Sequence, residues 1–132
     1  MNYLIDTHVL LWILFDSKQL STNVSNIILD NENNIFVSLI TFFEIALKFN
    51  MGKISLKNVL PDELPLYAEK VGLEILNLNP TEVSSFYKLP KTNHKDPFDR
   101  LIIWQCIQNN FTLISKDDKF IEYKNQGLQV TW

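Results

Sequence analysis

The sequence predicts an α/β protein: a three-layer α/β/α sandwich with a mostly parallel sheet of about five strands. Short apolar runs alternate with helical segments from one end of the chain to the other. The first two runs are apolar throughout, which is typical of parallel strands covered by helices on both faces. With 132 residues, 46% of them hydrophobic, the chain is long enough to bury a core without disulfides or a structural metal. We therefore expect one domain over residues 1–132.

The first predicted strand, residues 3–5, ends at Asp6 and is followed by a helix over residues 8–15. Functional sites of open α/β sheets collect where strands end at the carboxyl edge, which makes Asp6 a candidate site residue. The alternative is that Asp6 or Thr7 only caps the helix that follows. Taken alone, this stretch favours the cap.

The later elements follow from the same signals. Strands are predicted at residues 35–38, 73–78, 111–115 and 128–132, and helices at residues 21–30, 41–49, 61–70, 79–89 and 96–108, with a short helical turn at 120–123. Thr41 and Glu44 have the spacing of a capping box, so we expect that helix to begin at Thr41. Asp96, Pro97 and Asp99 suit the N-cap, first and third positions of the last long helix.

Four carboxylates occupy comparable places in this plan: Asp6, Glu44, Asp99 and Asp117 lie beside the carboxyl ends of strands 1, 2 and 4. If those strands are neighbours, the acids converge, and two like charges 4 Å apart repel by about 4 kcal/mol at an effective dielectric of 20. A carboxylate cluster without bases needs a cation or raised pKa values. Oxygen ligands suit Mg²⁺ or Mn²⁺, which activate water and stabilise charge on a phosphate.

Several other kinds of site are excluded. His8 and His94 form no zinc ligand pair, and the single cysteine, Cys106, lies in an apolar run typical of a protein core. The chain has only three glycines and no glycine-rich phosphate loop. No serine lies in a nucleophile elbow, so a Ser-His-Asp hydrolase is not indicated.

The net charge of −3 does not indicate a protein that binds nucleic acid through its overall charge. Its basic residues are nevertheless unevenly spread, since Lys88, Lys91, Lys95 and Arg100 lie close together with His94. This basic loop is either a solvated surface or part of a nucleic-acid contact. We find no export signal and no membrane-spanning segment, so we expect a cytoplasmic protein with no membrane partner.

Four segments carry a resemblance to a known family: residues 3–12, 36–46, 95–103 and 113–120. The chain resembles PIN domains, and among them the VapC toxins of type II toxin–antitoxin systems. The resemblance covers essentially the whole chain, and its most specific segment runs from Lys95 to Ile103 around an Asp-Pro-Phe-Asp-Arg motif. Trp104 and Cys106 depart from the small residues common in the family, and Ser115 stands where threonine is common.

The resemblance implies a small metal-dependent endoribonuclease whose four acids hold Mg²⁺, with Mn²⁺ as an alternative. Carried over by motif, the acids are the same four that the strand ends suggest: Asp6, Glu44, Asp99 and Asp117. Asp96 is an alternative to Asp99 as the third acid of this set, and Asp118 is an alternative to Asp117 as the fourth. Thr7 and Ser115 are candidate supporting hydroxyls, with turn capping as their alternative. Lys91, Lys95 and Arg100 are candidate RNA contacts.

The resemblance also implies partners, namely an RNA substrate, a cognate antitoxin that blocks the acids, and a second copy of the chain in a homodimer. Two other functions compete. A haloacid-dehalogenase-type phosphotransferase also begins with a strand and an Asp, but it needs a second Asp where this chain has His8. A catalytically silent protein-binding module would use the acids only as helix caps.

Overall fold

The computed structural model describes residues 1–132 and contains one five-stranded sheet. The strands are β1 (Asn2–Ile5), β2 (Asn34–Ser38), β3 (Glu74–Leu76), β4 (Thr112–Ile114) and β5 (Gln129–Thr131). Their order is β3-β2-β1-β4-β5, and every neighbouring pair is parallel. The predicted fold class is therefore confirmed, and β1 is the central strand.

Six α-helices connect and cover the strands: α1 (Thr7–Phe15), α2 (Thr22–Leu29), α3 (Leu39–Asn50), α4 (Leu64–Lys70), α5 (Pro80–Ser84) and α6 (Pro97–Asn109). Shorter 3-10 segments lie at Ser17–Gln19, Pro61–Glu63, Phe86–Lys88 and Asp118–Gln126. No helix has both the length and the apolar character needed to cross a membrane.

The two faces of the sheet are covered by different helices, which makes the three layers. Tyr3 and Ile5 point into a core shared with α1 to α4, whereas Leu4 points into a second core. The second core is built with α6 and the 3-10 segment Asp118–Gln126. Successive side chains of β1 therefore pack alternately into the two cores, as expected of a strand buried on both faces.

The register of β1 brings three strand ends to the same level. Ile5 is paired with Val37 of β2 and with Ile114 of β4. The residues that follow, Asp6, Ser38 and Ser115, therefore lie side by side at the carboxyl edge. All three are buried. This edge is where the sequence predicted the site, and strands 1, 2 and 4 are neighbours, which was the condition for the acids to converge.

One predicted helix start is wrong. The helix after β2 begins at Leu39, because the Ser38 hydroxyl at the strand end already accepts a hydrogen bond from the Ile40 amide at 3.1 Å. Thr41 is consequently inside α3 rather than at its N-cap, and Glu44 lies in the second turn. The expected capping box of Thr41 and Glu44 does not form, so Glu44 has no capping role to explain it.

Other element bounds differ less. The strands predicted at 73–78, 111–115 and 128–132 are each three residues long in the structure. The helix predicted at 79–89 is divided into α5 and the 3-10 turn Phe86–Lys88, and the predicted turn at 120–123 extends over Asp118–Gln126. None of these changes moves a candidate acid away from the carboxyl edge.

Candidate metal centre

Asp6 is both the N-cap of α1 and a buried carboxylate, with 5% of its surface exposed. Its Oδ1 accepts a hydrogen bond from the Val9 amide at 2.9 Å, and its Oδ2 accepts one from the Ser115 hydroxyl. Both carboxylate oxygens are therefore held in place from opposite sides. A carboxylate offers about four lone-pair sites, so two remain for another ligand.

Ser115 connects Asp6 to Asp117. Its hydroxyl oxygen accepts a hydrogen bond from the Asp117 amide at 3.1 Å while it donates to Asp6. Asp117 is the N-cap of the 3-10 segment, with Oδ1 accepting from the Lys119 amide at 2.9 Å. Asp118 is exposed and forms no side-chain hydrogen bond. The predicted supporting hydroxyl of Ser115 therefore lies at the junction of two predicted site acids.

Glu44 is brought to the edge by α3 and is 4% exposed. Its Oε1 accepts a hydrogen bond from the Thr7 hydroxyl at 2.6 Å, and its Oε2 is paired with the Lys48 ammonium. Thr41 also lies 3.3 Å from Thr7, hydroxyl oxygen to hydroxyl oxygen. Thr7, which follows Asp6 directly in the chain, thus links the end of β1 to Glu44 on α3.

Asp99 and Asp96 divide the two roles that the sequence left open between them. Asp96 caps α6, since its Oδ1 accepts hydrogen bonds from the amides of Phe98 at 2.9 Å and Asp99 at 3.2 Å. Asp99 makes no capping bond, and its Oδ2 lies 3.0 Å from Nε2 of His94. The other nitrogen of the buried His94 ring, Nδ1, has no partner. Asp99 therefore keeps Oδ1 free of protein hydrogen bonds.

Burial, with a smaller contribution from neighbouring carboxylates, raises two pKa values at this edge. Burial raises the pKa of Asp6, and the charge of Asp117 adds to this, although the hydrogen bonds from Ser115 and Val9 act in the opposite direction. Burial also raises the pKa of Asp99, followed by the charge of Asp96, against the hydrogen bond from His94. The ionised forms of Asp6 and Asp99 are therefore disfavoured in the protein without a cation.

Lys48 is the partly buried cation among these acids, whereas Lys119, 3.9 Å from Asp117, is exposed. Burial alone would lower the pKa of Lys48, but the hydrogen bond and charge of Glu44, with the charges of Asp96 and Asp99, raise the pKa above its ordinary value. The ammonium therefore stays protonated. The sequence interpretation placed no base in the cluster, and this expectation is corrected. The signal was present, because Lys48 lies four residues after Glu44 on the same helix face.

The three predicted RNA contacts differ in what holds them. Lys91 and Lys95 are exposed beside the start of α6. Arg100 instead donates to the carbonyl oxygens of Leu89 and Pro90 at 3.3 Å and to the Tyr123 hydroxyl at 3.0 Å. Its guanidinium also lies over the ring of Phe86, 5.5 Å from the centroid. Arg100 thus ties the basic loop to the body of the protein.

The profile of the PIN domain family matches residues 3–126. The chain belongs to the PIN domain family. PIN domains are nuclease domains, and their nucleases generally depend on a divalent metal. The predicted resemblance is therefore confirmed at the level of the family.

One curated relative of this PIN domain is Ribonuclease VapC22 of Mycobacterium tuberculosis. It is 26% identical over 129 residues, which cover 98% of this chain and 97% of the relative. The relative and this chain therefore match over nearly their whole lengths.

Solved structures share the fold. VapBC2 of Rickettsia felis, bound to a DNA fragment from its promoter, gives a TM-score of 0.72 at 22% identity, covering 99% of this chain and 98% of that one. FitAcB of Neisseria gonorrhoeae gives 0.66 at 17% identity, covering 98% and 96%. These similarities establish a PIN fold for the chain.

The donor set of this PIN domain fits a hard divalent cation. The candidate ligands are carboxylate oxygens, and burial, with a smaller contribution from neighbouring acids, raises the pKa values of Asp6 and Asp99, whose ionised forms such a cation would stabilise. No three acidic, histidine or cysteine side chains are gathered closely enough to hold one ion together. Mg²⁺ is ordinarily bound by one or two carboxylates and several waters. The arrangement therefore suits Mg²⁺ better than it suits a metal that needs three or four protein ligands.

Two residues of the site were not predicted as such from the sequence, namely Lys48 and His94. Lys48 had the signal of helical spacing, but His94 had none. It reaches Asp99 because the loop before α6 folds back over the 3-10 segment, where Phe120 and Tyr123 pack edge-on against the imidazole. Cys106 is buried as predicted, and burial raises the pKa of its thiol, so it is an unreactive core residue.

Proposed function

We propose that this PIN domain is a Mg²⁺-dependent endoribonuclease and the toxin of a type II toxin–antitoxin system, with Mn²⁺ as an alternative metal. The observation that carries the proposal is the buried carboxylate of Asp6, flanked by Asp117 on one side and linked through Thr7 to Glu44 on the other. The match to a relative named a ribonuclease over nearly the whole chain supports the substrate class.

Asp6 and Asp99 are proposed as the central metal ligands, with Glu44 and Asp117 binding directly or through water. A bound divalent cation supplies a water of lowered pKa and neutralises charge on the scissile phosphate. The protein's own part is to hold these acids. Ser115 and the Val9 amide fix the two oxygens of Asp6, and Thr7 orients Glu44. Asp118 is outside this set, because it is exposed and unpaired.

Asp96 is proposed to serve as a helix cap rather than as a ligand. Its Oδ1 is used by two backbone amides, and its contribution to the site is the orientation of α6 and therefore of Asp99. His94 is proposed to orient Asp99 from the other side by donating through Nε2. The free Oδ1 of Asp99 is then directed by two neighbours.

The RNA is proposed to pass along the basic loop that precedes α6. A cavity of about 340 Å³ is lined there by Lys91, Thr92, His94, Lys95 and Arg100. The two exposed lysines supply phosphate contacts. Arg100 supplies rigidity, because its donors are used by carbonyl and hydroxyl oxygens of the protein.

An antitoxin is proposed to cover the exposed apolar side of α3. Leu39, Phe43 and Leu47 of the helix that carries Glu44 and Lys48, and Met51 at its C-cap, recur at every fourth residue and are all exposed. Such a stripe is the kind of surface into which a partner helix packs. A homodimer is also proposed, and light scattering of the purified chain, alone and with its antitoxin, measures both assemblies.

The test is cleavage of end-labelled RNA by the wild-type chain and by Asp6→Asn. We expect the wild type to cut in Mg²⁺ and to stop in EDTA, and Asp6→Asn to lose at least about 100-fold in rate, beyond what loss of an outer-shell group costs. Equal cleavage by Asp6→Asn, or cleavage that EDTA leaves unchanged, would rule the proposal out.

A catalytically silent PIN domain that only binds protein remains the second candidate, and Lys48 is the observation that favours it. Its ammonium already neutralises Glu44 in the absence of a metal. This alternative predicts no RNA cleavage, a melting temperature indifferent to Mg²⁺, and no effect of Glu44→Gln beyond a small loss of stability. The nuclease predicts the opposite result in all three measurements.

A further inference from the structure

A buried chain of polar side chains runs beneath the metal centre. The Ser38 hydroxyl donates to Oε1 of Gln105, and Nε2 of Gln105 donates to Oε1 of Glu82 at 3.0 Å. The other oxygen of Glu82 accepts from Nδ2 of Asn109 at 2.9 Å. Ser38 and Gln105 are fully buried and Glu82 is 5% exposed. We call these four residues the Gln105 network.

The network joins the two helices that carry metal-site acids. Ser38 is the N-cap of α3, which carries Glu44 six residues later, and Gln105 is in α6, which carries Asp99 six residues earlier. At 1.5 Å per residue, each acid is about 9 Å along its helix from the Ser38–Gln105 contact. The two helices pack on each other, and next to the acids the rings of Phe43 and Phe98 lie 5.7 Å apart, centroid to centroid. The Ser38–Gln105 contact is thus a second point at which α3 and α6 are joined.

Stability alone does not account for this network. Glu82 is a buried carboxylate whose side-chain hydrogen-bond donors are both neutral amides, and it has no ion-pair partner. Burying a charge without a cation costs free energy that well-packed apolar residues would not cost. What a fully paired buried network does provide is a single geometry for the elements that it joins.

We infer that Gln105 is a positioning residue of the metal centre, which sets the spacing of Glu44 and Asp99 through its hydrogen bonds to Ser38 and Glu82. The inference rests on the proposed function, because it assumes that these acids bind a divalent cation. Gln105 itself touches neither the cation nor the RNA. Its effect is expected on metal affinity, with the acids unchanged in identity.

The test swaps the carboxylate and the amide side chains between positions 82 and 105. Gln105→Glu places a second carboxylate against Glu82 with no cation between them, and we expect this repulsion to weaken the link between α6, α5 and α3. The double variant Glu82→Gln with Gln105→Glu restores the bonds of the network in reverse: the new glutamate accepts from Ser38 and from the new glutamine, whose oxygen accepts from Asn109. The long bond from Nε2 of Gln105 to the Asn77 carbonyl oxygen, at 3.5 Å, is not restored. Net charge and side-chain sizes then match the wild type.

The readout is Mn²⁺ affinity, measured by the free-ion electron paramagnetic resonance signal without RNA. We expect Gln105→Glu to bind Mn²⁺ about 10- to 100-fold more weakly, the range found for groups that orient metal ligands, and the double variant to recover most of this loss. Gln105→Met, which removes the contact with an apolar side chain, is the second variant if Gln105→Glu does not fold. It is also expected to bind Mn²⁺ more weakly.

Trp104→Phe is the matched control. The Trp104 indole donates to the Glu82 carbonyl oxygen at 3.0 Å, a buried bond between α6 and α5 that does not involve α3. This variant should melt at a lower temperature yet bind Mn²⁺ like the wild type. A double variant as weak as Gln105→Glu, or wild-type affinity in both Gln105 variants, would overturn the inference while leaving the proposed function in place. Failure of the wild type to bind Mn²⁺ would instead contradict the proposed function, and the inference with it.

Discussion

At the scale of single residues, Asp6 shows that a helix cap and a metal ligand are compatible roles. The sequence presented them as alternatives, because an Asp at a strand-to-helix junction suits both. In the structure one oxygen caps α1 through the Val9 amide, and the other is held by Ser115, which also bonds to Asp117. The role as a cap explains how the Asp6 carboxylate is oriented. It does not explain why this carboxylate is buried next to other acids.

The raised pKa of Asp6 predicts a pH dependence of stability. A carboxyl group whose pKa is higher in the folded than in the unfolded chain binds more protons when folded, so the metal-free protein loses stability as pH rises from about 4 through the raised pKa. Asp6→Asn removes this loss and keeps an N-cap residue. In EDTA at pH 7 the variant should melt a few degrees higher, since about 1 kcal/mol moves Tm by roughly 4 °C in a domain of this size.

Thermal melts from pH 4 to pH 8 check this expectation. The gap between wild type and Asp6→Asn should be smallest at the acid end of this range and should widen with pH, because the pKa of Asp6 is raised in the folded protein. Parallel melting temperatures over the whole range would show that burial of Asp6 does not strain the folded state.

Thr7 gives a second prediction for a single side chain. Its hydroxyl donates to Glu44 at 2.6 Å, so Thr7→Val removes the bond without changing the shape of the side chain. We expect RNA cleavage in Mg²⁺ to fall about 10- to 100-fold, whereas Thr7→Ser, which keeps the hydroxyl, stays close to wild type. If Thr7→Val cuts as fast as Thr7→Ser, the hydroxyl serves packing and not the site.

At the scale of elements, the two helices that carry Glu44 and Asp99 were predicted with different success. The start of α6 was correct, because Asp96, Pro97 and Asp99 act within one turn of local sequence. The start of α3 was wrong, because Ser38 at the end of β2 caps the helix before Thr41 is reached. A capping motif in the sequence therefore predicts the start of a helix well only when the last residue of the preceding strand does not itself cap that helix.

Asp96 tests the division of roles at the start of α6. Asp96→Ala should lose about 1 kcal/mol of unfolding free energy, the usual cost of a lost N-cap, and Asp96→Asn should recover most of it. Asp96→Asn should also cut RNA at nearly the wild-type rate, in contrast to Asp99→Asn, which should be inactive. Denaturant unfolding and RNA cleavage of the three variants measure this, and an inactive Asp96→Asn would make Asp96 a ligand.

The basic loop allows a prediction about RNA affinity. If Lys91 and Lys95 contact phosphates, Lys91→Gln and Lys95→Gln should each reduce the slope of log affinity against log salt concentration by about one. Arg100→Gln should leave that slope unchanged and lower the melting temperature, because Arg100 is bound to the loop's own carbonyl groups. Binding is measured with inactive Asp6→Asn as the background. A changed slope in Arg100→Gln would return that residue to the RNA contacts.

At the scale of the whole molecule, the parallel sheet was predictable because strands and helices alternate along the chain, whereas the order of its strands was not predicted. The β3-β2-β1-β4-β5 order brings Asp6 and Ser115 together, although 109 positions separate them. His94 and Gln105 were not predictable as site residues in this way. Their roles depend on how a loop and a helix pack against other elements, and no spacing in the sequence encodes that packing.

The central claim is that the carboxyl edge of this sheet binds a divalent cation through Asp6. Calorimetric titration of the purified chain with Mg²⁺ at pH 7.5 tests it most directly, with Asp6→Asn as the matched variant. We expect saturable binding by the wild type and at least about a 100-fold loss of affinity in the variant, more than is lost with a group that only orients a ligand. The absence of binding by the wild type, or equal binding by both proteins, would contradict it.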